Sequence, residues 1–296
     1  MATPADFEAA LAGRAFTHVV HLADVHLRAG NEDGARYAEY NAVVDGLEAA
    51  LAALPCVQHG TALIAVCGDV FHNKRRVEAL TVRLWTRLLA VLARAAPTVL
   101  IAGNHDVVQE DARVPDLVDV HVERWGRGAL GDAAMRPVLY LATDAPVRAG
   151  NLFLATVPIQ ATLRAGDTRA VVAAPPAFAP PPPAGTPGID ATIALFHGTI
   201  GASRLPNGRA AAGLAATYAL ESFDGYDLVL LGDNHRQQVQ GRWGYPGSLV
   251  QQTFGESLLG HGFLLWDVRT RTATMHHVAN DLARVRLSFD RDDGTV

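Results

Sequence analysis

Five short apolar segments of this chain each close on a polar cluster. The clusters are Asp24-Val25-His26, Gly68-Asp69 with His72 three residues on, Gly103-Asn104-His105-Asp106, His197, and Asp233-Asn234-His235. The segments before them, Thr17 to Ala23, Ala62 to Cys67, Thr98 to Ala102, Thr192 to Phe196 and Asp227 to Leu231, are β-rich and almost uncharged, which predicts buried strands. In α/β folds, function collects beyond the carboxyl ends of strands, where loops vary while the strands hold them rigid. The pattern therefore predicts one rim of a sheet onto which all five clusters converge.

Between the strands, Asn41 to Leu54 and Val77 to Ala95 space apolar residues three and four apart, as amphipathic helices do. Strand, loop, helix, strand is the α/β alternation. A shorter helix is expected over Leu117 to Val122, followed by breaks at Gly126, Gly128 and Gly131. Ala174 to Gly188, with Pro180 to Pro183 in sequence, lacks too many amide donors for a helix or a sheet interior and reads as a loop. Gly262 to Val268 and Thr272 to Val278 predict a terminal hairpin. The expected organisation is one domain over residues 1–280, carrying the Pro-rich loop at 174–188, and a tail over 281–296.

With 296 residues and 49% hydrophobic content the chain can bury a large core. No uncharged apolar run of about 18 residues occurs, and no basic-then-apolar leader, so neither a membrane partner nor secretion is expected. Two cysteines, Cys56 and Cys67, are too few for a disulfide framework and read as reduced core thiols, which places the protein inside the cell, in cytoplasm or nucleus. The net charge of -5 does not exclude a nucleic-acid partner, because three of the counted acids are candidate metal ligands. Two bound dications would bring the sum to about -1. Lys74-Arg75-Arg76, just beyond His72, is a candidate guide for a phosphate backbone.

Carboxylates, an amide oxygen and imidazoles without a thiolate suit manganese, iron or magnesium better than structural zinc. The expected division is Asp24, His26, Asp69 and His235 on one metal, and Asp69, Asn104, His197 and Asp233 on the other, with Asp69 bridging. Such a pair activates water and offsets charge on an attacked phosphorus. His105 is left over as a general acid, with Asp106 beside it to hold the imidazole in one tautomer. His72 either binds the phosphate or assists that protonation. His18, His21, His59, His121, His261, His276 and His277 read as structural.

On these residues the chain resembles the calcineurin-like metallophosphoesterases, whose motifs run D-x-H, G-D, G-N-H-D/E, H and G-H-x-H. Within them it is similar to the double-strand-break repair nucleases of the SbcD type. That likeness rests on His21-Leu22-Ala23-Asp24-Val25-His26-Leu27, on Gly68-Asp69-Val70-Phe71-His72, and on Tyr245-Pro246-Gly247-Ser248 with Phe254-Gly255-Glu256 close behind. The resemblance implies a four-layer α/β/β/α sandwich with two manganese ions, iron or magnesium being alternatives. It implies DNA as substrate, cut as a 3′ to 5′ exonuclease and single-strand endonuclease in end processing and repair, with His105 and His72 as the catalytic histidines. It also implies a homodimer working with an SMC-like ATPase of the SbcC type; apolar residues near Leu80 and Leu117 are candidates for the dimer contact.

Two departures stand out. The family's G-H-x-H is here Gly232-Asp233-Asn234-His235, so a carboxylate replaces a histidine ligand; either the second site becomes harder in its metal preference, or Asp233 does not ligate and that site is weak. The chain also ends soon after the hairpin, where a capping domain and ATPase-binding helices are expected to continue. Two other functions are compatible with the motifs: a phosphoesterase for small nucleotides or phosphoproteins, and a DNA-end scaffold with little hydrolysis.

Overall fold

The computed structural model describes residues 2–29, 34–75, 77–107, 117–118, 135–158, 178–212 and 218–285. Its framework is two mixed six-stranded sheets. In chain order the strands are β1 His18–Leu22, β2 Ala62–Cys67, β3 Thr98–Ile101, β4 Val138–Tyr140, β5 Val147–Ala149, β6 Leu152–Thr156, β7 Ala191–His197, β8 Leu228–Gly232, β9 Gln238–Gln240, β10 Trp243–Tyr245, β11 Gly262–Asp267 and β12 Thr272–His277. The first sheet runs β12-β11-β1-β2-β3-β4 and the second β5-β6-β7-β8-β10-β9.

The five predicted strands exist, but they divide between the sheets: β1, β2 and β3 lie in the first, β7 and β8 in the second. This corrects the single rim expected from the sequence. Within each sheet these strands are parallel, with His18 opposite Ala62, Ile64 opposite Thr98, and His197 opposite Gly232. Their carboxyl ends therefore point the same way, and the clusters gather along the seam where the two sheets face each other. A run such as Ala62–Cys67, buried at every position, has no polar face because it packs against helices on one side and the other sheet on the other.

Two helices cover the outer face of the first sheet, α2 (Ala35–Ala52) and α4 (Ala79–Ala95). Tyr40, Val43, Val44, Leu47 and Leu51 form the apolar stripe of α2, and Leu84, Trp85, Leu88, Leu89 and Leu92 that of α4. Helix α2 starts earlier than the apolar period suggests, because Arg36 and Glu39 are buried as an ion pair of 2.6 Å rather than exposed. Helix α1 (Pro4–Leu11) puts Phe7 and Leu11 into the core between the sheets, and a short helix, α3 (Pro55–Gln58), precedes β2. Among the described residues, the outer face of the second sheet is covered by a 3-10 turn, Leu220–Phe223, and by loops carrying Phe178 and Ile200. The α/β class and the paired-sheet core match expectation; this last layer is not α-helical within the described residues.

Most of the helix expected at Leu117 to Val122 falls outside the described residues, as does the first part of the Pro-rich loop. Residues 178–188 of that loop carry turns and no strand or helix. The hairpin forms, with Leu264 opposite Met275. Both cysteines are free and buried, and among the described residues no helix is long and apolar enough to cross a membrane.

Trp266 of β11 fixes the spacing of the sheets. It is fully buried in the inter-sheet core, and the absent side chain of Gly244 in β10 makes room for its ring. Trp266→Ala is expected to destabilise the fold by about 3–5 kcal/mol, as removal of a large buried side chain leaves a cavity. Urea unfolding checks this, and a loss below about 1 kcal/mol would show that the sheets close over the gap.

Candidate metal centre

The loops that follow β1 and β2 are laced together before any ligand is placed. Asp24 N donates to Gly68 O (3.0 Å), His26 N to Asp69 O (2.9 Å) and Leu27 N to Val70 O (2.7 Å). From α2, the buried Tyr40 hydroxyl lies 3.0 Å from Val25 O and 2.5 Å from His26 O. The backbone is held in an unusual shape: Asp24 (φ 52°), His26 (φ 50°), Asp69 (φ 53°) and Asp233 (φ 90°) are four of the five described non-glycine residues with positive φ. Left-handed backbone at such residues is costly and survives where the surroundings over-determine it, which is typical of functional sites. Gly68, at φ 85°, and Gly103 have no room for a side chain, since a Cβ on Gly68 would run into the His197 ring and the Gly103 backbone.

All seven expected ligands come together, in two groups. Around the first position, His26 Nε2 lies 3.0 Å from His235 Nε2 and 3.4 Å from Asp69 Oδ2, and His235 Nε2 lies 4.0 Å from Asp24 Oδ1. Around the second, His197 Nε2 lies 3.0 Å from Asn104 Oδ1, 3.3 Å from Asp69 Oδ1 and 3.9 Å from Asp233 Oδ1. Asp69 thus turns one carboxylate oxygen to each group, one contributed mainly by the first sheet and one by the second. Asp24 ties the sheets further by accepting from Asp233 N at 3.0 and 3.1 Å.

The donor chemistry fits divalent cations. His197 Nδ1–H donates to the Cys67 carbonyl (2.8 Å), so its Nε2 can turn a lone pair inward. His235 Nδ1 is 2.9 Å from Glu256 Oε1, which orients that ring in the same way. Glu256 is itself anchored by Ser248 Oγ and Gln252 N, both 2.9 Å from its Oε2. Carboxylates behind histidines set ring orientation and basicity in metal sites. Oxygen and imidazole donors without thiolate match manganese, iron or magnesium. Divalent cations held there would supply activation of water and neutralise charge on a phosphoryl group.

The electrostatics show what such cations would relieve. Burial pushes the Asp24 carboxyl up to about 7, with Asp69 and Asp233 adding repulsion against the opposing pull of His235 and His197. Burial opposes ionisation of Asp69 too, but His197 and His26 beside it, with the His105 amide, hold it below the ordinary carboxylate range. Burial works against charge on His197 and His235; nevertheless Asp69 raises the first well above its usual value, and the Glu256 hydrogen bond with Asp24 brings the second to about 9. His26 moves oppositely, to about 2, because burial and three neighbouring imidazoles outweigh Asp69. Protons and cations therefore compete for the same buried acceptors.

Two expected roles change. The Asp106 carboxylate does not reach the His105 ring; it accepts from the backbone amides of Val70 (3.2 Å), Phe71 (2.8 Å) and Gly103 (2.8 Å), tying two ligand-bearing loops together. The His105 ring is oriented instead by the His72 carbonyl, 2.8 Å from its Nδ1. Burial, with Arg28 second, lowers His72 to about 4, so this ring is neutral at neutral pH, which favours phosphate binding over proton donation among its two expected roles. The two rings stack at 5.7 Å with 27° between planes, and His105 stands edge-on to His26 at 4.8 Å. Ligand atoms of His26, His72 and His105 also fall within 4.8 Å of one another.

Sequence reading missed Arg28, whose Nη1 lies 2.7 and 2.8 Å from the two His72 ring nitrogens. It missed Thr199, which donates to Asp233 Oδ2 at 2.6 Å. It also placed His261 away from the clusters, whereas His261 Nδ1 lies 3.2 Å from the Ser248 hydroxyl that supports Glu256. Arg28 adjoins the D-x-H motif and was findable as a cation two residues past a ligand; Thr199 and His261 carry no local signal. In the Lys74-Arg75-Arg76 triplet, Arg75 is exposed and Arg76 lies outside the described residues.

The model of the calcineurin-like phosphoesterase family matches residues 17–164. The chain belongs to the calcineurin-like phosphoesterases. That span takes in Asp24, His26, Asp69 and Asn104, and the second sheet brings up the remaining candidate ligands, His197, Asp233 and His235. An uncharacterized protein of Acanthamoeba polyphaga mimivirus, R555, is 26% identical over 276 residues, covering 89% of this chain and 18% of that protein. The chain thus spans less than a fifth of the length of that relative. The family assigns metal-dependent phosphoester hydrolysis to this fold.

Because raised His197 and His235 carry protons that a cation must displace, manganese binding by this phosphoesterase is expected to tighten from pH 6 to pH 8, by about tenfold per pH unit for each proton released. Calorimetry in buffers of different ionisation enthalpy reads that release directly, and equal heats in all buffers would contradict it. Asp233→His is expected to lower magnesium affinity relative to manganese, because an oxygen donor gives way to nitrogen. An unchanged ratio in direct titrations would show that Asp233 is not a ligand.

Proposed function

We propose that this phosphoesterase is a manganese-dependent DNA nuclease, a 3′ to 5′ exonuclease and single-strand endonuclease acting in DNA end processing and repair. The observation that carries the reading is the His105–His72 pair beside the ligand cluster. Cleaving a phosphodiester expels an alkoxide, which needs a proton. His105 has its Nδ1 held by the His72 carbonyl, and this leaves Nε2 to deliver a proton to the leaving oxygen. His72, neutral and backed by Arg28, holds its neighbour in place and brings a cation close to where a phosphate chain would lie. In this reading the seven ligands bind the metal ions, while Asp106 acts through the loops it ties and not on the substrate.

The same reading carries a homodimer and a partnership with an SMC-like ATPase of the SbcC type, within the cell. Leu80, 40% exposed at the start of α4, is available for the dimer contact, whereas Leu117 packs against the core.

The test offers the full chain, with manganese, radiolabelled single- and double-stranded DNA, a cyclic nucleotide and a phosphopeptide. DNA is expected to be the preferred substrate, with mononucleotides released from 3′ ends, and His105→Asn is expected to lower kcat on DNA by about 10²–10⁴-fold while DNA binding persists. Faster turnover of the cyclic nucleotide or phosphopeptide would overturn the reading, as would full cleavage by His105→Asn for the assigned acid. Binding of DNA without any cleavage would point to an end-binding scaffold.

A further inference from the structure

Next to His72, which Arg28 contacts, three arginines from distant parts of the chain meet around a small cavity of about 70 Å³. Arg28 follows β1, Arg36 is on the first turn of α2, and Arg284 follows the terminal hairpin; Gln252 and Phe254 complete the wall. No carboxylate lines the cavity among the described residues, and the charges of Arg36 and Arg284 bear unfavourably on Arg28. Bringing like charges together costs energy unless something offsets it. Glu39 answers only part of it, through its contact with Arg36.

The arrangement is built rather than incidental. Arg36 is 4% exposed, its Nη2 donates to Gln251 O, and its ring-facing side packs on Tyr40, with Cζ 5.4 Å from the centroid. Its Nε is buried with no hydrogen-bond partner, although buried donors are nearly always paired. Arg28 is held by His72 and by Gln252 O at 3.4 Å. Arg284 is placed by its own amide, which donates to Gln251 Oε1 at 3.0 Å. The cavity holds about two waters at ~30 Å³ each. It lies far below the ~300 Å³ of a pocket for an organic ligand. An acceptor-only group of this size, with charge to match guanidinium, is a phosphate oxyanion.

We propose that Arg28, Arg36 and Arg284 form a phosphate-binding subsite that takes an unreacted phosphodiester of the same strand whose neighbouring phosphate is cut at the metal centre. It rests on the nuclease reading for its substrate, and on the cavity alone for its chemistry. Arg28 joins the two, since the guanidinium that would face the subsite also abuts His72. A strand gripped one phosphate away is positioned for cutting, so the subsite selects chains over isolated small diesters.

The experiment uses the full chain, with Arg284→Gln as the probe variant because Arg284 is exposed and its loss should leave folding intact. Arg269→Gln, in the hairpin turn at the opposite end of β1, removes equal charge elsewhere. In EDTA, inorganic phosphate is expected to raise the thermal midpoint of the wild type and of Arg269→Gln but much less that of Arg284→Gln. A shift equal in all three proteins, or none in the wild type, overturns the subsite. With a short single-stranded oligonucleotide in EDTA, Arg284→Gln is expected to reduce the slope of log K against log salt by about 0.7, one phosphate contact. With manganese, its KM for the oligonucleotide should rise about tenfold, the loss of one charged hydrogen bond, while turnover of bis(p-nitrophenyl) phosphate stays at the wild-type rate. An effect seen only with a 5′-phosphorylated strand overturns the internal placement and assigns a terminal monoester. Phosphate binding by a protein that cuts no DNA leaves the cavity chemistry standing and removes the nuclease reading; DNA cutting by Arg284→Gln at wild-type KM and salt slope does the reverse.

Discussion

Asp69 sits where the two sheets meet, almost wholly buried, with one oxygen toward His26 and the other toward His197. A carboxylate in that position cannot be left alone, because removing its charge from water costs several kcal/mol unless charge and hydrogen bonds replace the solvent. Asp24 and Asp106 are buried close by, and repulsion from Asp69 contributes to holding both up at about 7 after desolvation. Three carboxylic groups in one seam are poor material for a core built only for stability. With Asp106 taken up by backbone amides, Asp24 and Asp69 make sense as a negative cage whose cost is offset when cations enter, and the rest of the site can be understood as the means of keeping the cage in shape.

That shape is maintained from both sheets. Loops after β1 and β2 lie side by side through main-chain hydrogen bonds, and Asp106 clamps the loop after β3 onto them. The second sheet closes the cage through the His197 bond to Cys67 O and the Asp233 amide on Asp24. Four ligand residues accept left-handed backbone, a strain of order 1–3 kcal/mol each that only rigid surroundings sustain. The inter-sheet core therefore serves the chemistry: a shift between the sheets would separate the two halves of the donor set.

The strand ends were legible in the sequence because buried parallel strands leave continuous apolar runs, and each ligand cluster interrupts one sharply. What could not be read was which sheet each run joins, since Ala62–Cys67 and Ala191–His197 look alike whether neighbours or partners across a core. Short strands such as Val138–Tyr140 and Trp243–Tyr245 were missed because three residues give no period. Asp106 misled for a related reason: adjacency in a turn suggests contact with His105, yet the turn points consecutive side chains apart and sends the carboxylate to backbone amides. Arg36 and Glu39 were hidden by their charge, because a buried ion pair looks in sequence like an exposed helix face. Glu256 and the arginine cavity depend on loops that return from far along the chain.

The seam is also asymmetric. The first group combines two carboxylates with two imidazoles, and the second combines Asp69, Asn104 and Asp233 with His197 alone. His235 is steadied by Glu256, a full charge behind the ring, whereas Asp233 accepts from the neutral Thr199 hydroxyl and is one-third exposed. A rigid, nitrogen-rich position paired with a looser, oxygen-rich one does not treat two identical cations alike.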